Sequence, residues 1–287
     1  MLCESNFLGR ITYSGSGMLK LVKEKFTALD LLQRIAETPF AQFFEATTLN
    51  FSSVLLHSLL LRKVESTKRG EIHFAIGNKR VRFGKLEYAF ITRFSMEDDP
   101  TAEEQNERRS DRLVTDHLNG VRNPKFEVLT NAFKTCQDPE DAYKLGLCVF
   151  VIGYLLGVEH NRVINDKYLY MVEDLPFFYS LPWGNITWAE TFSALSVDMN
   201  RYCLKQKDKS ANENILQKEA KYSLPGNLHA VQYWAFEAIP EIGQQFGNNI
   251  GVRVPRMLSW SSVRVVTRKD VEKVFLKKTV IIILYVF

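Results

Sequence analysis

The chain has 287 residues, is 46% hydrophobic and 12% aromatic, and carries a formal net charge of +4. That length and apolar content exclude a chain disordered throughout, and they suffice for one large core or two small ones. The charge is too modest for a dedicated nucleic-acid domain. The four cysteines (Cys3, Cys136, Cys148 and Cys203) are scattered with no C-x-x-C pair, which points away from a zinc ribbon or a disulfide framework and toward a reducing compartment.

The N-terminus has no basic region followed by an apolar core. No signal peptide is read there, and an intracellular location, nucleus or cytoplasm, is expected. Residues 1–25 are mixed and expected to be loosely ordered. Residues 26–278 read as a single helical domain. Leu31, Leu32 and Ile35 lie at helical spacing in Thr27–Glu37, and Pro39 stops that helix. Phe40, Phe43 and Phe44 form an aromatic cluster. Ser52 or Ser53 can cap a helix carrying Leu55, Leu56, Leu59 and Leu60.

Glu71 to Phe83 is the clearest β signal. Ile72, Phe74 and Ile76 alternate with polar or small residues, Gly77-Asn78 tolerates positive φ, and Val81 and Phe83 alternate again. This predicts a β-hairpin, which needs a surface to lie on. After Gly84 the period changes, and Leu86, Ala89, Phe90 and Arg93 fall on one predicted helix face.

Residues 95–110 are read as a polar loop or frayed helix. Lys125–Thr135 resumes the helical period. Asp138-Pro139-Glu140-Asp141 is a strong helix start, with a capping carboxylate, a proline suited to the first turn and acids at the positive end of the dipole. Leu145–Leu156 is apolar nearly all round and too short to span a bilayer, which needs about 20 residues, so it is expected to be the central core helix. A further helix is expected over Asp166–Asp174, ended by Pro176. Another, capped by Asn185 or Thr187, is expected to run to about Leu204. Residues 205–221 form a lysine-rich linker, and a helix through Leu228, Val231 and Trp234 follows, ended by Pro240. Pro255–Trp260 is read as a loop or extended segment. Thr267 and Asp270 form a capping pair for a last short helix, and residues 279–287 are an apolar tail.

Several of these segments resemble a known family. They are Leu59–Glu65, Ile72–Gly77 and Val81–Thr92, then Val172–Leu175 leading into Leu181–Gly184, Ala230–Pro240 and Pro255–Trp260. Their order and spacing are similar to the plant domain-of-unknown-function family DUF1985, from about Phe40 to Phe275. The resemblance implies a plant protein of mobile-element origin. It implies a domain without established activity that often precedes a cysteine peptidase domain of the ubiquitin-like-specific (SUMO) protease type. That peptidase domain is expected to be absent here.

Candidate chemistry is sparse. Cys148 lies within an apolar run where burial keeps a thiol inert. The five histidines (His57, His73, His117, His160 and His229) are remote in sequence, without metal-ligand spacing. His57 and His229 are expected at the edge of the core, and His73 exposed on the hairpin. Gly153–Gly157 lacks the Lys and Ser or Thr of a phosphate loop. No catalytic, cofactor or metal site is expected. The one suggestive surface is basic: Lys68, Arg69, Lys79, Arg80, Arg82, Lys85 and Arg93, with Arg80 and Arg82 on one strand face. A basic ribbon can follow phosphates, but a solvated outer face is favoured at this net charge.

The expected fold is therefore α+β, mainly α, a helical bundle with one small β-hairpin packed on it. The expected function is a non-catalytic interaction or scaffold module with an unidentified protein partner. A nucleic-acid-binding accessory and a truncated remnant of a cysteine peptidase protein are the alternatives.

Overall fold

A computed structural model describes residues 8–47, 49–66, 68–204, 220–277 and 281. The expected linker 205–221 lies outside the described residues up to position 219, and the expected tail 279–287 lies outside them except at Ile281.

In chain order, the first part contains β1 Gly9–Thr12, α1 Gly15–Ala28, α2 Leu32–Ile35, α3 Ala41–Glu45, α4 Ser53–Leu60 and β2 Lys63–Val64. Then come β3 Glu71–Ile76, β4 Lys79–Gly84, α5 Lys85–Thr92, α6 Ala102–Glu107, α7 Arg112–Leu118, α8 Phe126–Thr135 and α9 Pro139–Val149. A π-helical turn, Phe150–Leu155, extends α9, followed by α10 Lys167–Met171, α11 Leu175–Ser180 and α12 Trp183–Leu195. The last part holds β5 Ala220–Ser223, α13 Leu228–Ala238, α14 Pro240–Phe246, β6 Gly247–Asn249, β7 Trp260–Ser262 and α15 Arg268–Phe275. The protein is mainly α with small sheets, the expected class.

The centre is α9 with its π turn. The Asp138 carboxylate accepts from the Asp141 amide at 2.8 Å, and Pro139 sits in the first turn. Every residue from Leu145 to Leu155 is buried. Helix α1 packs along this core through Met18, Val22 and Phe26, which recur every fourth residue. At Gly146 an added Cβ would collide with the Phe26 ring and come within 2.9 Å of Phe133. The expectation of a loosely ordered 1–25 is therefore wrong from Gly9 onward. β1 pairs in parallel with β5, Gly9 opposite Ala220, and His57 Nδ1 beneath them lies 2.7 Å from the Tyr222 hydroxyl. The stripe in α1 is hidden in the sequence by two glycines and three lysines, and the partner of β1 lies about 210 residues away.

The hairpin forms as expected and gains a third strand, in the order β2-β3-β4, with Phe74 opposite both Lys63 and Val81. Ile72, Phe74, Ile76, Val81 and Phe83 are buried, and Phe74 and Phe83 pack on Trp234 of α13. Helix α5 turns a different face inward from the one the spacing suggested. Leu86 is 59% exposed, whereas Glu87, Tyr88, Ile91 and Thr92 are buried. The reason is polar: Glu87 Oε2 accepts from the Gly84 amide at 2.8 Å, and the Tyr88 hydroxyl donates to Thr187 Oγ1 at 2.7 Å.

Boundaries differ in three other places. Asp30 takes a positive φ and divides the expected Thr27–Glu37 helix between α1 and α2. Asp174 caps α11, so Pro176 begins a helix rather than ending α10. Helix α12 starts at Trp183 and ends at Leu195. Asn185 does not cap it but donates to the Met96 carbonyl at 3.2 Å.

The Ala230–Pro240 and Pro255–Trp260 segments meet around one carboxylate. Buried Glu237 pairs with Arg256 at 2.7 Å and accepts from Trp260 Nε1 at 2.5 Å.

Candidate functional site

The basic hairpin is largely self-neutralised. Arg80 and Arg82 do share the outer face of β4, but both are engaged. Arg82 contacts Glu87 at 2.5 Å and Glu71 at 3.6 Å. Arg80 Nε donates to His73 Nδ1 at 2.6 Å, and its Nη2 donates to the Glu65 carbonyl. His73 is therefore not the exposed residue expected. Its side chain is 16% exposed, and with Nδ1 accepting from Arg80, Nε2 donates to Glu71 at 2.9 Å. That hydrogen bond, and next Arg82, hold the Glu71 carboxyl below its ordinary range. Lys68, Arg69, Lys79, Lys85 and Arg93 are exposed. Lys68, Arg69 and Lys85 stand at one end of the hairpin and Lys79 at the other, since Glu71 pairs with Gly84 at one end and Ile76 with Lys79 at the other, and Arg93 lies beyond it at the end of α5. The ribbon is a charge-balanced face, not a continuous cationic stripe.

Among the described residues, the cysteines offer no nucleophile. Cys148 donates to the Tyr168 carbonyl at 3.5 Å, and burial pushes its thiol far above the ordinary value. Burial also raises Cys136, whose sulfur bonds to the Asp138 carbonyl. Cys203 is disulfide-bonded, which the scattered spacing did not suggest. Among the described residues, no group of three His, Cys, Asp or Glu side chains is placed to hold a metal ion, and no helix is long and apolar enough to cross a membrane.

The strongest site lies elsewhere. Helix α1, the segment after α3, the π turn and α13 enclose a pocket of about 300 Å³. Its walls are largely apolar, built by Leu19, Phe43, Leu49, Tyr154 and Tyr233. His229, the second residue of α13, reaches its inner end and is 3% exposed. The ring stacks on Tyr154 at 5.2 Å and 26°, with Tyr13 and Phe51 at 5.2 and 5.5 Å. Its Nε2 lies 3.0 Å from the hydroxyl of Ser16, the second residue of α1, and its Nδ1 is buried without a hydrogen-bond partner. Burial lowers its pKa from 6.5 to about 4, against a smaller opposing effect of the Leu49 backbone. Placing Tyr154 there is the work of the π turn, a form that recurs at functional sites. The Tyr13 hydroxyl donates to the Tyr154 carbonyl at 2.8 Å and braces the turn.

Three features mark the mouth. Lys20 and Glu24 form an exposed pair at 3.7 Å. Lys23 is half-buried. Its ammonium lies 3.5 Å from the Ala46 carbonyl and 6.0 Å from the Phe44 ring centre, has no carboxylate beside it among the described residues, and has its pKa lowered by burial. Gly17 is exposed inside a helix, and an added Cβ would meet nothing within 4 Å.

Chemically, Ser16 and His229 are two members of a nucleophilic triad. A third, a side chain orienting the histidine through Nδ1, is absent among the described residues, and a base with a pKa of about 4 is weak. The sequence placed His229 at the core edge and offered no sign of Ser16. No spacing links residues 213 positions apart.

Comparison with protein families gives one match, to the domain of unknown function DUF1985, over residues 60–194. That segment is similar to the DUF1985 domain. It contains the three-stranded sheet and runs through the core helix to α12. The DUF1985 match stops short of α13 and of the Pro255–Trp260 segment, on which the resemblance also rested. It supplies Tyr154 to the pocket, while Ser16, Lys23 and His229 come from the flanks. No curated protein and no solved structure matches the chain.

Proposed function

We propose that this chain is a non-catalytic interaction module whose recognition site is the α1–α13 pocket. The observation that carries the reading is the combination at one place of an apolar recess of about 300 Å³ and a buried His229 nitrogen without a partner. Apolar walls with a few convergent polar groups are the ordinary make-up of a binding site, and a buried polar atom left unpaired is costly unless something bonds to it. The resemblance to domains that accompany peptidases in plant mobile-element proteins supports a role beside other domains rather than a reaction of its own.

Gly17→Trp tests the reading. The position has open space, so the indole fills the mouth without disturbing the core. A set of small apolar and amphipathic fragments should raise the melting temperature of the wild-type chain and leave Gly17→Trp unmoved. Equal shifts in both would place binding elsewhere.

The exposed Lys68, Arg69, Lys79 and Lys85 favour a second reading, weak phosphate binding by the hairpin. Replacing Lys68, Arg69 and Lys85 by glutamate should then abolish salt-sensitive nucleic-acid binding. No binding by the wild-type chain at low salt would end this reading.

A further inference from the structure

We propose that the α1–α13 pocket takes a small organic acid, with its carboxylate on Lys23 and its apolar body against Leu19, Phe43, Tyr154 and Tyr233. This rests on the reading of that pocket as the recognition site.

Lys23 lines the pocket and is half-buried, yet it has no acidic partner among the described residues, and its one polar contact is a 3.5 Å approach to the Ala46 carbonyl. Its neighbours on the same helix differ, because Lys20 and Glu24 already neutralise each other at 3.7 Å in solvent. An ammonium held against apolar walls gains from an anion more than an exposed one does, because less solvent screens it. A cation or a zwitterion would bring a second positive charge beside Lys23 and lose that gain. At the inner end, His229 Nδ1 can hydrogen-bond a polar substituent on the body, since Nε2 is taken by Ser16. The volume decides the size. About 300 Å³ is at the lower limit of ligand pockets and holds one compact ring or a short chain, not a run of peptide.

The test is a matched series followed by calorimetric titration at neutral pH: 4-phenylbutyrate, 4-phenylbutan-1-ol and 4-phenylbutylamine. The three share one apolar body and differ in head group. The acid should bind about tenfold more tightly than the alcohol, and the amine should bind least, the size expected for a charged hydrogen bond. Lys23→Met keeps the aliphatic stem and should bring acid and alcohol to the same affinity. An alcohol as tight as the acid, an amine tighter than either, or an acid unaffected by Lys23→Met would overturn the acid preference while leaving the pocket as the site. N-acetylglycylphenylalanine binding more tightly than 4-phenylbutyrate would overturn the small-acid assignment in favour of a peptide C-terminus. If none of the series binds while other fragments shift the wild-type chain but not Gly17→Trp, the ligand class is wrong and the pocket reading stands. If no fragment distinguishes wild type from Gly17→Trp, the pocket reading itself fails.

Discussion

Ser16 Oγ and His229 Nε2 lie 3.0 Å apart, tying the first turn of α1 to the first turn of α13 across the mouth of the core. The contact is buried on the histidine side, and the ring is held neutral by its surroundings.

That neutrality makes stability depend on pH. The His229 pKa falls from 6.5 to about 4 on folding, so between those values the unfolded chain binds a proton that the folded chain does not. Stability from this residue is complete above pH 6.5 and is lost as pH falls toward 4, by about 3 kcal/mol at the lower end. Urea unfolding across that range should show the slope, and His229→Gln should flatten it. The Asp141 carboxyl acts lower. Arg112 first, and also His117, lowers it from 3.8 to about 2, so its contribution disappears only in that more acidic window.

Glu87 is a keystone of the hairpin, not a surface acid. It accepts from the Gly84 amide at 2.8 Å and from Arg82 at 2.5 Å, and it is 5% exposed. Glu87→Ala leaves a buried amide and a guanidinium without their partner and should cost about 2–3 kcal/mol. Arg82→Ala should cost less. A double-mutant cycle by chemical denaturation should then return a coupling of about 1 kcal/mol or more.

Two glycines should respond in opposite directions. Gly146→Ala forces a methyl into the Phe26 ring between α9 and α1 and should destabilise by about 1–3 kcal/mol. Gly17→Ala adds a methyl in open space on a helix and should stabilise by about 0.5–1 kcal/mol. Thermal unfolding of the two variants gives both signs. A helix that keeps a destabilising glycine where nothing packs on it, at the rim of a pocket, is consistent with keeping that rim open.

Glu237 joins two separate stretches of the chain through Arg256 and Trp260. Glu237→Ala strands a buried guanidinium and should cost about 3–5 kcal/mol, measured by urea unfolding.

Much of the architecture was legible in the residues, for local reasons. Asp138-Pro139, Ser52 and Thr267 with Asp270 announce helix starts because capping is a short-range interaction, and all of them cap in the structure. The alternation around Gly77-Asn78 fixes the hairpin in the same way. What sequence reading lost is long-range. β1 becomes a strand only because β5 lies beside it, and α5 turns Leu86 outward because Glu87 and Tyr88 find partners in Gly84 and Thr187. The pocket was invisible for the same reason. Its Ser16, Lys23 and His229 come from the two ends of the chain and Tyr154 from the middle, and none carries a motif. The basic residues of the hairpin were visible, but the carboxylates that balance Arg82 become its neighbours only in the folded sheet.

The most direct test of the account is an NMR titration of the histidine ring signals with the fragment set, in the wild-type chain and in Gly17→Trp. His229 alone among the five histidines should shift in a saturable way, and the shift should vanish in Gly17→Trp. Saturable shifts at His73 or His117 with His229 unmoved would contradict it and place recognition on another face.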